Sequence, residues 1–427
     1  MLLSFRVANH GSLREPQELN FAPTYGDDDR PAVPVAAIFG ANASGKSTVV
    51  GAFRLFQHAV RESQARWLPG APVPRRPFLL DHASRNEPSS YAVDLLLKGV
   101  RYVYGFSVTD TEVAEEWLYA YPKGRRRVLF ERDRMTVTYG ATLTGERVAA
   151  ERTMRPNSLY LSAAAQSSHQ QLGAVWTAVE APIVIEDETR RSVAERGAFA
   201  VLVYERLETL GLPIRAEVLA AADLGVHGIR RGAGKAVDPA MPGDARTGQE
   251  FGNAMREAES ESLEFVHRVG HEEFVLPVDA ESAGTKTWLN LVTTAVTAIL
   301  SGTSMWVDEI DVSLHPLLTA KLLTLFQDPE LNPRGAQLIF TTHDASLLGT
   351  MLGDQVLRRD QVWFVEKNPA TGASELYPLS DFKPRKGENF ERRYLAGSYG
   401  AVPLLPETAL EDMLKKYWGA HGEVVSA

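Results

Sequence analysis

An α/β fold, with a largely parallel sheet covered by helices on both faces, is predicted by three observations. A glycine-bearing loop at residues 39–48 stands between a buried strand and a helix. A second apolar strand, beginning at Ser304, ends in the adjacent carboxylates Asp308 and Glu309, and a third, residues 337–342, ends in His343. Strands that alternate with helical stretches around such a loop imply parallel pairing through crossover connections.

Taken in order, the N-terminus alternates apolar residues at Leu3, Phe5 and Val7, the two-residue period of a half-buried strand. Beyond a polar bend, Glu18-Leu19-Asn20-Phe21 reads as its hairpin partner, and residues 24–31 read as a loop. Val35-Ala36-Ala37-Ile38-Phe39 is a short continuous apolar run, as expected of a strand buried on both faces, and residues 47–60 carry a helical period. Residues 91–130 are β-rich, with Gly99 in a turn, and resemble an antiparallel meander. Residues 170–223 turn helical, interrupted at Gly211 and Pro213; no heptad pattern persists, so long coiled-coil arms are not expected. Residues 232–252, rich in Gly, Ala, Asp and Pro, are expected to form a mobile loop. From Glu264 the α/β alternation resumes, with Phe274-Val275-Leu276-Pro277 as its first strand, and closes on Val362-Trp363-Phe364-Val365-Glu366 and a basic, aromatic tail. The expected organisation is an N-terminal lobe at 1–165, a mainly helical insertion at 166–265 and a C-terminal lobe at 266–427.

The loop reads Gly40-Ala41-Asn42-Ala43-Ser44-Gly45-Lys46-Ser47, the spacing G-x-x-x-x-G-K-S of a phosphate-binding P-loop. A glycine-containing surface turn is the competing explanation, but here a strand precedes the pattern and a helix follows it. Gly40 and Gly45 let the backbone curl so that amide N–H groups point at anionic oxygens. Lys46 can reach the β- and γ-phosphates, and the Ser47 hydroxyl can ligate Mg²⁺. Asn42, Ser44 and Thr48 complete the expected nucleotide-contacting set.

Composition bounds the alternatives. The 427 residues are 44% hydrophobic and 23% charged, ordinary for a globular protein with a full core. Two or three subdomains, or a nucleotide-binding fold with an insertion, fit this length. No apolar run approaches the roughly 20 residues of a membrane span, and the N-terminus lacks a secretory layout. Cysteine is absent, which excludes thiol catalysis, disulfides and cysteine-held zinc, and is compatible with a cytoplasmic location. The net charge of −9 argues against nucleic-acid binding through the overall field. Local patches remain, at Lys123, Arg125, Arg126 and Arg127 and at Arg230, Arg231 and Lys235, for which solvated turns are the plainer reading.

The second half narrows the chemistry. Asp308, at the end of its apolar strand, has the form of a Walker B carboxylate that holds the Mg²⁺ shell opposite Ser47. Glu309, one residue further, is placed to orient and polarise an attacking water. His343 ends a neighbouring strand and would sense the γ-phosphate, whereas His315, before Pro316, reads equally well as a helix-start residue. Ser282, Gly284 and Thr285 open a helix with Trp288, Val292, Ala295 or Val296, and Ile299 on its apolar face, a second anion-binding end.

The motifs in this order resemble the ATP-binding-cassette type of ATPase, and within it the RloA-like "AAA family" ATPases of bacterial abortive infection. These are relatives of the SMC and RecF heads and of the ATPase part of OLD nucleases. The start, Leu2-Leu3-Ser4-Phe5-Arg6-Val7-Ala8-Asn9, and the tail, from Arg385 through Tyr394-Leu395 to Tyr399-Gly400-Ala401-Val402-Pro403, also resemble that group. The chain departs from it at His10 and Gly11, where an aromatic and an arginine are usual, and around Phe78 and Asp81, where no Q-loop glutamine stands. The resemblance implies a P-loop fold of ABC/SMC-head type and a homodimer, or a larger assembly of such dimers. In it the Ser282, Gly284 and Thr285 end of one copy caps ATP held by the other. It also implies hydrolysis through Glu309, with Lys46 and His343 in the catalytic set, and a role in anti-phage defence beside a separately encoded nuclease or toxin. No Toprim nuclease domain is evident after the last core strand. A RecF-like DNA-clamp ATPase, a nucleotide-gated scaffold with little turnover, and a small-molecule kinase are the rival readings.

Overall fold

The computed structural model describes residues 1–24, 30–185, 211, 216–220, 225–231, 263–277, 280–312, 314–352, 356–383, 387–403 and 408–421. The expected loop at 232–252 and most of the helical stretch after residue 185 lie outside the described residues, as does part of the loop at 24–31.

The central sheet has six strands in the order β16 (Ser374–Pro378), β15 (Val362–Lys367), β3 (Val35–Phe39), β14 (Gln337–Thr342), β13 (Ser304–Val307) and β9 (Ile183–Ile185). All neighbours are parallel except the edge strand β16, which pairs antiparallel with β15. The second sheet has seven antiparallel strands in the order β2 (Gln17–Asn20), β1 (Leu2–Ala8), β4 (Ser89–Leu97), β5 (Val100–Val108), β6 (Val113–Tyr121), β7 (Arg127–Asp133) and β8 (Thr136–Tyr139). It contains both the expected N-terminal hairpin and the expected meander.

Helix α1 (Lys46–Glu62) is wedged between the two sheets. Its Val49, Phe53, Phe56 and Val60 share one core with Phe5 and Phe106 of the antiparallel sheet and with Ile38, Trp306 and Ile339 of the central sheet. Phe53 stacks on Trp306 with ring centres 3.9 Å apart, and Phe5 meets Phe53 edge-on at 5.3 Å. Burying each such ring contributes about 1.5–3 kcal/mol. The alternate residues of the same central strands, Val35, Ala37, Phe39, Met305, Leu338 and Phe340, face the opposite way. They form a second core with helices α4 (Ala283–Ser301), α5 (Pro316–Gln327) and α6 (Phe390–Leu395). Strands covered on both faces have no solvent side, which is why they read as unbroken apolar runs.

The helices α2 (Tyr160–Gln166) and α3 (Gln170–Glu180) stand directly before β9. Strand β9 follows within the stretch that reads as helical; three residues are too few to show a period. The side chain of Gln57 in α1 donates to the carbonyls of Glu180 and Pro182 and holds that strand's approach to the sheet. A third sheet joins β10 (Val226–Arg231), β11 (Leu263–Val269) and β12 (Glu272–Pro277), all antiparallel. Phe274 to Pro277 therefore belong to a hairpin turning at Gly270 (φ 65°), outside the parallel alternation.

A buried ion pair ties the antiparallel sheet to the helices beside α1. Glu116 on β6 and Arg132 on β7 have fully buried side chains 3.2 Å apart. Glu116 also accepts from the N–H groups of Tyr160 (2.6 Å) and Leu161 (2.9 Å) at the start of α2 and from the Tyr104 hydroxyl (3.0 Å). Arg132 donates to the Ser158 carbonyl at 2.6 Å. Burial pushes the Glu116 carboxyl above its ordinary range, and Arg132 and those N–H donors oppose the shift.

Candidate functional site

The carboxyl ends of parallel strands are where open α/β sheets bind ligands, and four such ends converge here. Strand β3 delivers the P-loop, β13 delivers Asp308 and Glu309, β14 delivers His343, and β15 ends at Lys367. They bound a cleft of about 680 Å³ lined by residues 42–48, Ser12, Glu309, His343 and Lys367.

The loop reaches its curl through Ala43 (φ 61°) and Gly45 (φ 112°), both left-handed. Gly45 is needed twice over, since a Cβ there would lie 2.5 Å from Ser374 Oγ and 2.7 Å from Ser12 Oγ. Gly40 has a different reason from the one its place in the motif suggests. Its φ is not positive, but a Cβ would meet the Val365 carbonyl at 2.4 Å, so glycine lets the loop pass close to β15. Helix α1 starts with no side-chain cap. The N–H groups of Ala43, Gly45, Lys46 and Ser47 have no acceptor among the described residues. Ser44 Oγ is buried and likewise unpartnered, Asn42 is exposed, and Ser47 and Thr48 are half-buried. An anion would satisfy what the helix end leaves open.

Lys46 is buried, and its ammonium donates to the carbonyls of Gly40 (2.8 Å) and Ala41 (3.0 Å), with His343 Nδ1 at 3.4 Å. His343 Nε2 lies 3.7 Å from a Glu309 carboxylate oxygen. Glu309 holds a left-handed backbone (φ 54°), uncommon for a non-glycine residue and a form of strain that recurs at functional sites. One hydroxyl fixes this corner: Thr341 Oγ1 accepts from the Glu309 N–H and donates to Asp308 Oδ1, both at 2.7 Å. Asp311 accepts from the His343 N–H at 3.2 Å, which joins the two strand ends again.

The helix at Ser282 is elsewhere. Ser282 caps α4 by accepting from the Thr285 N–H at 3.1 Å and is exposed; Gly284 is half-buried. Thr285 is buried with its hydroxyl 2.8 Å from Ser282 Oγ, so it supports Ser282 from behind. None of the three lines the cleft. His315 caps α5, its ring nitrogen accepting from the Leu317 N–H at 3.3 Å, which is the helix-start reading. Gly11 and His10, the first place where the chain departs from the family pattern, pack against neighbouring side chains. A Cβ on Gly11 would lie 2.6 Å from a Thr48 methyl, and His10 Nδ1 sits 2.9 Å from the Tyr91 hydroxyl. Burial, with Arg76 and Arg54 nearby, lowers the His10 pKa to about 4.

The family model described as "AAA domain, putative AbiEii toxin, Type IV TA system" matches residues 35–349, from β3 to the turn after His343. The chain belongs to this AAA-domain family. Similar solved structures include the SMC head domain from Thermotoga maritima, 13% identical with a TM-score of 0.38, over 88% of this chain and 98% of that one. Another is the Smc head domain with an extended coiled coil bound to the C-terminal domain of ScpA from Pyrococcus furiosus, 15% identical with a TM-score of 0.44, over 90% and 97%. No curated protein matches the sequence.

Within this AAA domain, burial lowers the Lys46 pKa to about 8, against the opposing pull of Glu309, Asp308 and Asp311. A bound polyphosphate favours the charged amine. Below about pH 8 the free site already carries that charge; above it, binding must take up a proton. Nucleotide affinity is therefore expected to fall with rising pH above about 8, by at most about tenfold per unit, with proton uptake visible by calorimetry. Lys46→Arg, always charged, should flatten this profile if it binds.

Ser12 and Lys367, which no local pattern marks, also line the cleft, and Thr341, beside His343 in sequence, takes the bridging place at its corner. Ser374 joins them indirectly: its hydroxyl donates to the Ser44 carbonyl at 2.5 Å, and its oxygen lies 2.8 Å from Ser12 Oγ, whose hydroxyl can donate to it. Among the described residues, no helix is long and apolar enough to cross a membrane.

Proposed function

We propose that this AAA-family chain is a Mg²⁺-dependent ATPase of the ABC/SMC-head type that works as a homodimeric switch. Lys46 and the open N–H groups of Ala43, Gly45, Lys46 and Ser47 bind the phosphates, with Asn42, Ser44 and Thr48 beside them. Ser47 and Asp308 offer hard oxygen ligands that would hold Mg²⁺, and the ion would supply neutralisation of phosphate charge. Glu309 takes the proton of the attacking water, and His343 holds Glu309 in line and senses the terminal phosphate.

The observation that carries the dimer is the separation of two anion-binding ends. Helix α1 opens uncapped into the cleft, while the exposed Ser282 end of α4 lines no part of it. One triphosphate in one chain does not need both; two copies facing each other use all four. The family description, with its toxin–antitoxin context, supports a bacterial conflict role, and we place the chain as the ATPase and sensor of an anti-phage, abortive-infection system with a separate effector in the cytoplasm.

Mixing two inactive variants tests the sharing of sites. Lys46→Ala removes a P-loop and Ser282→Arg blocks a helix end, so each alone should lack ATPase activity. A heterodimer of the two has one intact composite site, and an equal mixture should regain about a quarter of the wild-type rate. No recovery from well-mixed, folded variants would reject sites built in trans.

A further inference from the structure

The antiparallel sheet packs one face on α1; its other face carries a groove of about 660 Å³ across β1, β4, β5 and β6 that the ATPase chemistry does not use. Strand alternation on β6 turns Glu116, Leu118 and Ala120 inward and puts Trp117, Tyr119 and Tyr121 together on the open face. Opposite them on β5 stand Gly105, Val103 and Arg101. Gly105 is a fitted floor: a Cβ there would lie 2.5 Å from the Trp117 indole and 2.7 Å from the Ala92 methyl. The Arg126 guanidinium sits 3.8 Å from the Tyr119 ring centre, and that of Arg101 sits 4.8 Å from Tyr121.

Charge accompanies the rings. Because Arg101 pairs with Tyr121, the β4–β5 and β6–β7 turns lie at one end of the sheet. They carry Lys98, Lys123 and Arg125, all exposed and without a carboxylate partner among the described residues. Arg101 and Arg126 do have partners, Asp94 and Glu131. In a chain of net charge −9, five cations against two carboxylates at this end form a local site complementary to a polyanion.

We propose that this face binds single-stranded nucleic acid. Bases stack on Trp117 and on the Tyr119–Arg126 and Tyr121–Arg101 pairs, and phosphates lie along the cations of the two turns. Alternate residues on a strand stand about 6.8 Å apart, which leaves room for successive unstacked bases. A duplex keeps its base faces internally stacked, so it offers this groove only phosphates. The inference is independent of the ATPase reading.

The test uses the full chain with fluorescein-labelled thymidine and uridine oligonucleotides of about 20 nucleotides and a duplex of equal length, by anisotropy at several salt concentrations. We expect a single strand to bind at least about tenfold more tightly than the duplex, and Trp117→Ala to weaken it by about tenfold. Lys123→Ala with Arg125→Ala, both on an exposed turn, should weaken binding and reduce the slope of log affinity against log salt by about 1.4. Both variants should fold and keep the wild-type ATPase rate, and the turn variant should also keep the wild-type thermal midpoint. The proposal is overturned by equal affinity for duplex, by a folded Trp117→Ala that binds as wild type, by failure of every oligonucleotide to bind at micromolar concentration, or by polyglutamate displacing the strand as well as an unlabelled oligonucleotide does.

Discussion

Glu309→Gln is expected to bind ATP, to lose turnover by about 10²–10⁴-fold, the usual contribution of a positioned general base, and to accumulate dimers in the presence of ATP. The substitution keeps the size of the side chain and can keep a contact to His343, now 3.7 Å from the carboxylate. What it removes is the capacity to accept the water's proton. The backbone should not respond, because the left-handed conformation at this position is held by the N–H bond to Thr341 Oγ1, which glutamine retains. Single-turnover phosphate release and size-exclusion chromatography with ATP and Mg²⁺ are the measurements. An unchanged hydrolysis rate would remove Glu309 from the chemistry.

Glu116→Ala should cost about 3–5 kcal/mol of stability, the usual consequence of breaking a buried pair from one side. Arg132 would be left fully buried without its carboxylate, and the Tyr160, Leu161 and Tyr104 donors would lose their acceptor. Tyr160 and Leu161 open α2, which packs beside α1 through the Ser162 hydroxyl bond to the Val60 carbonyl, and Tyr104 stands on β5. Denaturant unfolding should show the early loss, and Glu116→Ala with Arg132→Met should be less destabilised than the single change, since the orphaned charge is gone. A single variant within about 0.5 kcal/mol of wild type would show that the pair contributes nothing net.

The parts of the site that are legible in the sequence are those whose geometry is local. The P-loop is one turn between one strand and one helix, so its glycines, Lys46 and Ser47 are specified within a few residues of each other. Asp308, Glu309 and His343 are readable because a short apolar run ending in a polar residue marks the exit of a doubly covered strand. Even there the reason for Gly40 was hidden: its lack of a side chain serves the Val365 carbonyl, which is remote in sequence.

Ser12 and Lys367 are not readable, and neither is the bridge that Thr341 makes, the parallel strand at Ile183–Ile185 or the hairpin that takes up Phe274. Each depends on which strand lies beside which, and that order is settled by burial of two cores across the whole chain. Lys367 enters the cleft because β15 is the neighbour of β3, and Thr341 bridges Asp308 and Glu309 because β14 is the neighbour of β13. Trp117, Tyr119 and Tyr121 likewise share a face through the alternation of β6, but the groove they border exists because Gly105 and Ala92 lie opposite. Backbone periods and turn chemistry are short-ranged and leave their mark on adjacent residues. Strand order minimises exposed apolar surface over hundreds of residues, and no local pattern encodes it.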